Sequence, residues 1–468
     1  MFKAIFTNSF GILFSRILGL IRDLLTASIL GANVYSDIFF IAFKLPNLFR
    51  RIFAEGAFTQ VFLPSFTRST KKSLFSIHIF VIFLSIILFI TLLVNLFPQL
   101  ATKALAIGFD TKTIELAAPY VTINFYYLTF IFAVTFLSTL LQYKHHFATT
   151  AFATGFLNLS LIGALLLSKG SSDDVIVYYL SWGVVIGGAL QLLVHLMAIW
   201  KIGLLKIVIG GFKYFNKKAL LVKEETKVFR KQFFPAIWGN STAQLSAFLD
   251  TWLASFLAAG SISYLYYSNR VFQLPLALFA IATSTAIFPR IARFLRNNDH
   301  TNALNYLQKA FWFLATILML STLGGFILSD EIVKLLFQRG AFSQTDAVHT
   351  SFVLKMYLIG LLPFGLNKLF SLWLYASQLQ LKAAKIASYS LISNVILSLA
   401  LISPMGAGGL ALASTISGFL SFILTIKVFG TQQFLDIISS KKALYWLLSA
   451  LLFTFFLLWF KDFIDGYI

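Results

Sequence analysis

The sequence predicts an all-α polytopic membrane protein with about 13 transmembrane helices. Of its 468 residues, 59% are hydrophobic and only 12% are charged, whereas a soluble globular chain is about half apolar and about a quarter charged. Apolar runs of about 20 residues recur from end to end, and a helix of that length crosses roughly 30 Å of hydrocarbon. The short alternating segments of a transmembrane barrel do not occur in the sequence.

The predicted spans follow one another without a loop long enough to form a soluble domain. They cover residues 2–31, 35–66, 73–98, 113–141, 147–168, 175–200, 232–259, 263–289, 303–328, 347–376, 383–402, 409–427 and 443–460. Because Arg16 interrupts the first run and no small-residue cleavage site ends it, we expect no cleaved signal peptide. The absence of cysteine excludes disulfides and cysteine-based metal sites.

The distribution of basic residues predicts a cytoplasmic N-terminus. In that orientation the inward loops and their flanks carry 22 Lys and Arg, and the outward loops carry 6. Cytoplasmic loops of membrane proteins are enriched in these residues, so the excess fixes the predicted orientation. The net charge of +20 does not indicate nucleic acid, since it is spread over short loops and spans instead of one polar domain.

A basic segment near the middle of the chain predicts a linker between two lobes. Residues 201–231 contain nine Lys and Arg against two Glu, which is typical of an amphipathic helix on anionic headgroups. The predicted organisation is an N-terminal lobe of six spans (1–200), the cytoplasmic linker (201–231), a C-terminal lobe of six spans (232–427), and a final loop, span and tail (428–468).

An internal repeat supports this division. The segment ASILGANVYSDIFFIAFKLP (27–46) resembles ASFLAAGSISYLYYSNRVFQLP (254–275), and FLPSFTR (62–68) resembles IFPRIAR (287–293). An even number of spans separates the copies, so the lobes should share one orientation, as in transporters built from parallel repeats. Their interface is the predicted central path. Chance similarity between two Phe-rich segments is the alternative.

Charged residues within the spans predict that this path is a cationic cavity. On a helix, Asp37, Lys44, Arg51 and Glu55 stay within about 40° of one another and form one polar stripe. A charge at the centre of a span costs at least about 2.5–3.5 kcal/mol, so it must face water or a partner. The interior set is eight cations (Arg16, Arg22, Lys44, Arg50, Arg51, Arg270, Lys355 and Lys368) against four acids (Asp23, Asp37, Glu55 and Asp250).

This surplus of positive charge favours an anionic ligand, and guanidinium groups suit phosphate because they grip it through two parallel hydrogen bonds. The residues predicted to bind substrate are Arg16, Arg22, Arg51 and Arg270. Those predicted to pair charges or to gate the path are Asp23, Asp37, Lys44, Glu55 and Asp250. The alternative interpretation is a set of internal salt bridges, such as Arg16–Asp23 or Lys44–Asp37. No catalytic residues are predicted.

Two N-terminal stretches carry a resemblance to a known family. They read FSRILGLIRDLLTASILGA (14–32) and SDIFFIAFKLPNLFRRIFAEGAFTQVFLPSF (36–66). The resemblance extends over nearly the whole chain through FLAAGSISYLYYSNRVFQLP (256–275) and GGLALASTISG (408–418). They are similar to the MurJ (MviN) lipid II flippases of the multidrug/oligosaccharidyl-lipid/polysaccharide exporter superfamily. The resemblance implies a multi-pass protein of the bacterial inner membrane that moves undecaprenyl-pyrophosphate-linked peptidoglycan precursor outward by alternating access.

The resemblance also implies roles for individual residues. Positions that the family needs for function match Arg16, Arg22, Asp37, Arg51, Glu55 and Arg270. Some members bind sodium as a coupling or structural ion, and the matching ligand positions here are Asp250, Asn394, Ser398 and Ser414. The chain departs from the family in having Asn269 and Gln273 where acids are common, Ser398 where Asn or Asp is common, and thirteen predicted spans instead of fourteen.

The expected partners are lipid II, membrane phospholipids and other cell-wall synthesis proteins, with no nucleic acid, and the expected state is a monomer. Alternative functions are a flippase for another polyprenyl-linked oligosaccharide and a drug/cation antiporter of the same superfamily, which should have an acidic or apolar cavity. An enzyme acting on polyprenyl phosphates would need catalytic carboxylates near a membrane surface. A non-transporting scaffold for cell-wall enzymes would not need the charged stripe to face a cavity.

Overall fold

A computed structural model of the chain describes residues 2–52, 58–439 and 441–465, with the side chains of all these residues except 2–9, 51, 52, 216–220, 238–243, 464 and 465. Contacts divide the chain into two compact units, Met1–Gly260 and Ser261–Ile468. Both units are helical, and the described residues contain no β-strand. The all-α class is therefore confirmed.

The described residues of the first unit form ten α-helices. They are α1 (Phe2–Leu30), α2 (Val34–Ile52), α3 (Phe58–Arg68), α4 (Lys72–Leu96), α5 (Pro98–Leu105), α6 (Thr111–Tyr143), α7 (Ala148–Leu167), α8 (Asp173–Lys201), α9 (Leu205–Lys218) and α10 (Lys223–Ala254), with a 3₁₀ turn at Ala219–Val222. The predicted linker forms α9 and the start of α10, and α10 continues across residue 231 without a break. The lobe limits drawn from the repeat remain a prediction.

The second unit contains the remaining helices. They are α11 (Ser261–Pro275), α12 (Ala282–Arg296), α13 (His300–Ile327), α14 (Ser329–Phe337), α15 (Gln344–Leu358), α16 (Leu361–Ala376), α17 (Gln380–Phe429), α18 (Thr431–Ile438) and α19 (Lys441–Asp465). A π-helical segment, Leu276–Ile281, joins α11 to α12 directly after Pro275. Because proline removes a backbone hydrogen bond from the helix, a local change of helical pitch at this position is expected.

Each of the thirteen predicted spans falls on a helix or a helix pair of the described residues. Eight of these helices are long and apolar enough to cross a membrane, or nine if α15 and α16, which meet at a bend of 41°, form one span. Helix α17 contains two predicted spans, which meet at Gly406 with φ 54° and ψ −132°. Helices α1, α2 and α10 are not among the eight, and they carry most of the charged residues of the predicted site.

An aromatic core holds the first unit together around α3. The side chains of Phe58, Phe62 and Phe66, which are spaced four residues apart, are fully buried. Phe229 and Phe233 of α10 pack against this row, with ring centroids 6.2 Å apart for Phe58–Phe229 and 6.3 Å apart for Phe58–Phe233. The start of α10 is therefore fixed to the first unit by burial of large aromatic side chains.

Candidate functional site

A buried ion pair lies on α1. Arg22 and Asp23 are only 6% and 3% exposed, and Arg22 Nη2 lies 2.6 Å from Asp23 Oδ1. Arg22 Nη1 also donates to Asn158 Oδ1 of α7 at 3.0 Å, and Asn158 Nδ2 donates to the carbonyl oxygen of Ser15 at 2.9 Å. Asn158 thus joins α7 to α1 through two hydrogen bonds. The one from Arg22 is charge-assisted and therefore stronger than a neutral one.

Arg16 lies on the same helix in a different environment. Its side chain is exposed, and it has no hydrogen-bond or ion-pair partner among the residues whose side chains the structure describes. The Arg16–Asp23 pair, which was the alternative interpretation of these charges, does not form among the described contacts, since Asp23 pairs with Arg22. Arg16 is therefore a guanidinium group that a ligand can reach without breaking a described salt bridge.

The predicted stripe on α2 begins with Asp37. Its carboxylate is 3% exposed, and its Oδ2 accepts a 2.7 Å hydrogen bond from the backbone N–H of Gly260, the last residue of the first unit. Lys44 is half-buried about two turns further along α2. Arg50 donates to Asn47 Oδ1 at 3.2 Å. The side chain of Arg51 and the whole of Glu55 lie outside the described residues, so their predicted roles remain predictions.

Arg270 occupies α11 in the second unit. Its Nη2 donates to Tyr266 Oη at 2.8 Å, and the guanidinium carbon lies 5.0 Å from the centre of the same ring. Tyr266 is four residues earlier, so both side chains project from one face of the helix. Because the tyrosine hydroxyl is neutral, this contact orients the guanidinium group without compensating its charge. Asn269 and Gln273, where acids are common in the family, hydrogen-bond to each other.

An ionic network joins three helices of the second unit. Lys355 Nζ of α15 lies 2.7 Å from Asp330 Oδ2 of α14, and the Ser351 hydroxyl donates to Asp330 Oδ1 at 2.5 Å. Lys461 of α19 lies 3.3 Å from Glu331 Oε1 and 3.9 Å from Asp330 Oδ2. The charge of Lys355, counted in the interior surplus, is thus compensated by an acid outside the predicted spans. The excess of uncompensated cations within the spans is therefore smaller than the sequence alone indicates.

Asp330→Asn is expected to lower the Tm at neutral pH. Burial raises the pKa of Asp330, but hydrogen bonds from Lys355 and Ser351 and the nearby lysine charges outweigh that effect, so the pKa lies below the usual 3.8. A lowered folded-state pKa stabilises the protein above pH 3.8, and this contribution is lost as pH falls through the folded value. The difference in Tm from wild type should therefore shrink below pH 3.8.

The matched control for Asp330→Asn is Glu115→Gln, which neutralises an exposed acid on α6. It should leave the Tm unchanged at every pH, because exposed charges contribute little. Thermal unfolding of the purified full-length protein in detergent, followed across a pH series, measures both. An equal Tm for Asp330→Asn and wild type at pH 7 would contradict the proposed contribution of this network.

The positions that match a sodium site divide between the two units. On α17, Asn394 Nδ2 donates to Ser414 Oγ at 2.9 Å. Ser398 is fully buried, and its hydroxyl has no hydrogen-bond partner among the described residues. Asp250 lies on α10 in the first unit and is 8% exposed. Buried oxygens of this kind suit a hard cation, so the α17 residues fit the implied group.

A family model described as "Lipid II flippase MurJ" matches residues 26–467 of the chain. A relative from Helicobacter pylori (strain J99), named "Probable lipid II flippase MurJ", is 54% identical over 425 residues, covering 89% of this chain and 92% of the relative. The chain belongs to the MurJ family of lipid II flippases. A relative of the same name from Buchnera aphidicola subsp. Acyrthosiphon pisum is 33% identical over 438 residues, covering 91% of this chain and 83% of the relative.

Solved structures agree with membership of the MurJ family. A structure described as lipid II flippase MurJ in an inward closed conformation has a TM-score of 0.79 at 26% identity, covering 98% of this chain and 99% of the other. An inward-facing multidrug transporter of the MATE family has a TM-score of 0.63 at 13% identity, covering 93% and 99%. The similarity to the MATE transporter shows only that the two proteins share a fold.

Several residues of the site carried weak signals in the sequence. Asn158 is an amide in the middle of an apolar span, and polar residues at such depth commonly hydrogen-bond to a neighbouring helix. Its distance of 136 residues from Arg22 hides the contact from any local pattern. Tyr266 is spaced four residues before Arg270, but tyrosine is common in this chain. Asp330 lies in a short helix between two predicted spans, and no local sequence pattern links it to Lys355.

Proposed function

We propose that this chain moves lipid II from the inner to the outer leaflet of the bacterial inner membrane by alternating access, for cell-wall synthesis, without catalysing a reaction. Membership of the MurJ family supports this function. The observation that carries the proposal in this chain is Arg16, an exposed arginine within a predicted span that has no described partner. A charge in that position is costly unless it serves a ligand or a hydrated path.

The proposed ligand of Arg16 is the pyrophosphate of the lipid carrier. A guanidinium group binds a phosphate through two parallel hydrogen bonds and remains charged at every physiological pH. In the second unit, Arg270 is a further proposed phosphate-binding residue, with Tyr266 orienting its guanidinium group. Arg22 differs, because it is buried in contact with Asp23 and Asn158. Its role in the proposal is to hold α1 against α7 at a fixed depth, which positions Arg16 on the same helix.

The test uses bacterial cells that can be depleted of their own lipid II flippase. Expression of this chain should restore growth, and it should restore lipid II at the outer face of the membrane, measured by modification from outside the cell. Arg16→Ala should restore neither at the same protein level. Growth without outward lipid II, or no rescue by well-expressed wild-type chain, would count against the proposal. If the chain instead restored export of a different polyprenyl-linked oligosaccharide, that result would favour the alternative function, a flippase for that oligosaccharide.

The proposed topology places the N-terminus in the cytoplasm and the C-terminus outside. The chain has no cysteine, so single substitutions give unambiguous labelling sites. We expect Lys71→Cys to react with a membrane-impermeant thiol reagent only in inverted vesicles, and Asp465→Cys only in intact cells with a permeable outer membrane. If both positions were labelled from the same side, an even number of spans would lie between them. That result would overturn the count of thirteen.

We also propose that a sodium ion binds on α17 near Asn394, Ser398 and Ser414; the role of Asp250, which lies in the first unit, stays a prediction. The support is the buried Ser398 hydroxyl, which lacks a described hydrogen-bond partner. Such a group costs stability when nothing binds it. Sodium should therefore raise the Tm of wild type, and Ser398→Ala should abolish that increase without lowering the Tm in sodium-free buffer.

The control for Ser398→Ala is Ser388→Ala on the same helix, where the hydroxyl donates to the Ala384 carbonyl oxygen at 3.1 Å. It should keep the sodium-dependent increase in Tm. Potassium at equal ionic strength separates specific binding from a salt effect. A sodium-dependent increase of the same size in Ser398→Ala and wild type would exclude Ser398 as a ligand.

A further inference from the structure

A cavity lies at the end of α12 in the second unit. Its volume is about 650 Å³, within the range of about 300–1,000 Å³ that is usual for small-ligand sites. It is open to the surroundings on one side and is lined by the end of α12, the start of α13 and the turn between α16 and α17. The polar side chains in its wall are Arg293, Arg296, Asn298, His300, Ser377 and Gln378. Among the described residues that line it, none is acidic.

The two arginines of this wall have no acidic partner among the described residues. Arg293 and Arg296 are exposed, and neither has a hydrogen-bond or ion-pair partner among the described residues. Arg290, one turn earlier on α12, is different, because its Nη1 donates to Tyr306 Oη at 2.7 Å. The nearest acid in sequence, Asp299, accepts hydrogen bonds from the backbone and side-chain nitrogens of Asn302 at 3.2 and 2.8 Å. It therefore caps α13.

In the first unit, the helix end that corresponds to the end of α12 in the sequence repeat lies beside a carboxylate. The sequence repeat aligns Arg293 at the end of IFPRIAR with Arg68 at the end of FLPSFTR. Next to Arg68, the Ser69 hydroxyl donates to Glu225 Oε2 of α10 at 2.6 Å. Phe229, one turn further along α10, is fully buried. The first unit thus places a carboxylate of its own chain beside this helix end, and the wall of the second-unit cavity contains none.

We propose that the cavity binds the phosphate group of an anionic membrane phospholipid that is not the transported substrate. Arg293 and Arg296 bind the phosphate oxygens, with hydrogen bonds from Ser377 and Gln378. The cavity adjoins a loop on the side predicted to face the cytoplasm, where anionic headgroups attract basic residues next to membrane spans. Guanidinium pairs favour phosphate through parallel charge-assisted hydrogen bonds. Such a lipid would anchor the end of α12 to the turn before α17.

The test measures lipid retained by the purified full-length protein, using native mass spectrometry after exchange into detergent with phosphatidylglycerol or phosphatidylcholine. Wild type should retain phosphatidylglycerol in preference to phosphatidylcholine. Arg293→Gln/Arg296→Gln should lose about tenfold or more of that preference, because two basic residues that attract an anionic headgroup are removed. Arg290→Gln is the matched control, because Tyr306 holds that arginine outside the cavity wall. It should retain lipid as wild type does.

Two further measurements identify the ligand and guard against misfolding. Inorganic phosphate at millimolar concentration is added to lipid-loaded wild type: displacement of the lipid shows that free phosphate is a sufficient ligand, and retention shows that the lipid is required. Gln378→Glu adds a negative charge to the wall without altering either arginine, and it should also weaken retention of phosphatidylglycerol. Equal retention of phosphatidylglycerol by wild type, the double variant and Gln378→Glu would overturn the site.

Discussion

Arg16→Lys and Arg270→Lys should reduce lipid II flipping nearly as far as Arg16→Ala and Arg270→Ala do, at normal protein levels. Lysine keeps the charge, but its ammonium group lacks the planar fork that binds two phosphate oxygens at once. A hydrogen bond to a charged group contributes about 1.5–3 kcal/mol, so loss of the second bond should reduce the transport rate by about 10–100-fold. The measurement is lipid II exposed at the outer face in flippase-depleted cells.

The control for this prediction is Lys355→Arg. Lys355 is paired with Asp330 at 2.7 Å, and arginine can keep that ion pair, so transport should be unchanged. Full activity of both lysine variants would show that the protein offers a diffuse positive field instead of a two-point grip on phosphate. The pyrophosphate roles of Arg16 and Arg270 would then be abandoned, although the flippase function could stand.

Asp23→Asn and Arg22→Ala should each sharply reduce the stability of the protein. Both residues are almost fully buried, and removing one partner of a buried ion pair typically costs about 3–5 kcal/mol because the remaining charge lacks compensation. We expect a lower Tm in detergent and a lower protein level in the membrane. For Arg22→Ala, Asn158 also loses the 3.0 Å hydrogen bond that joins α7 to α1.

The double variant Arg22→Met/Asp23→Leu separates stability from transport. Replacing both charges with apolar side chains of similar size is often neutral for stability, so its Tm should exceed that of either single variant. Its flipping activity should nevertheless stay low if the depth of α1 matters for Arg16. Normal Tm and normal level of Asp23→Asn would contradict the structural role of the pair.

Span positions could be predicted from the sequence because they follow from runs of apolar residues, and each predicted span falls on described helices. The partners of the charged side chains could not be predicted from the sequence. Helical phase places Arg16 and Asp23 on one face, yet Asp23 pairs with the adjacent Arg22, since the packing of α7 decides which part of α1 is buried. Composition suggested an excess of interior cations, but the partner of Lys355 lies 25 residues away in a short helix.

The hydrogen bond between Arg22 and Asn158 has a consequence for biogenesis. The two residues are separated by 136 positions, and ribosomes add about 5–20 residues per second. Helix α1 therefore enters the membrane about 7–27 s before α7 can complete its polar contact. During that interval Arg22 and Asp23 can already neutralise each other, because they are adjacent in sequence. We therefore expect that the first span can leave the translocon before Asn158 has been synthesised.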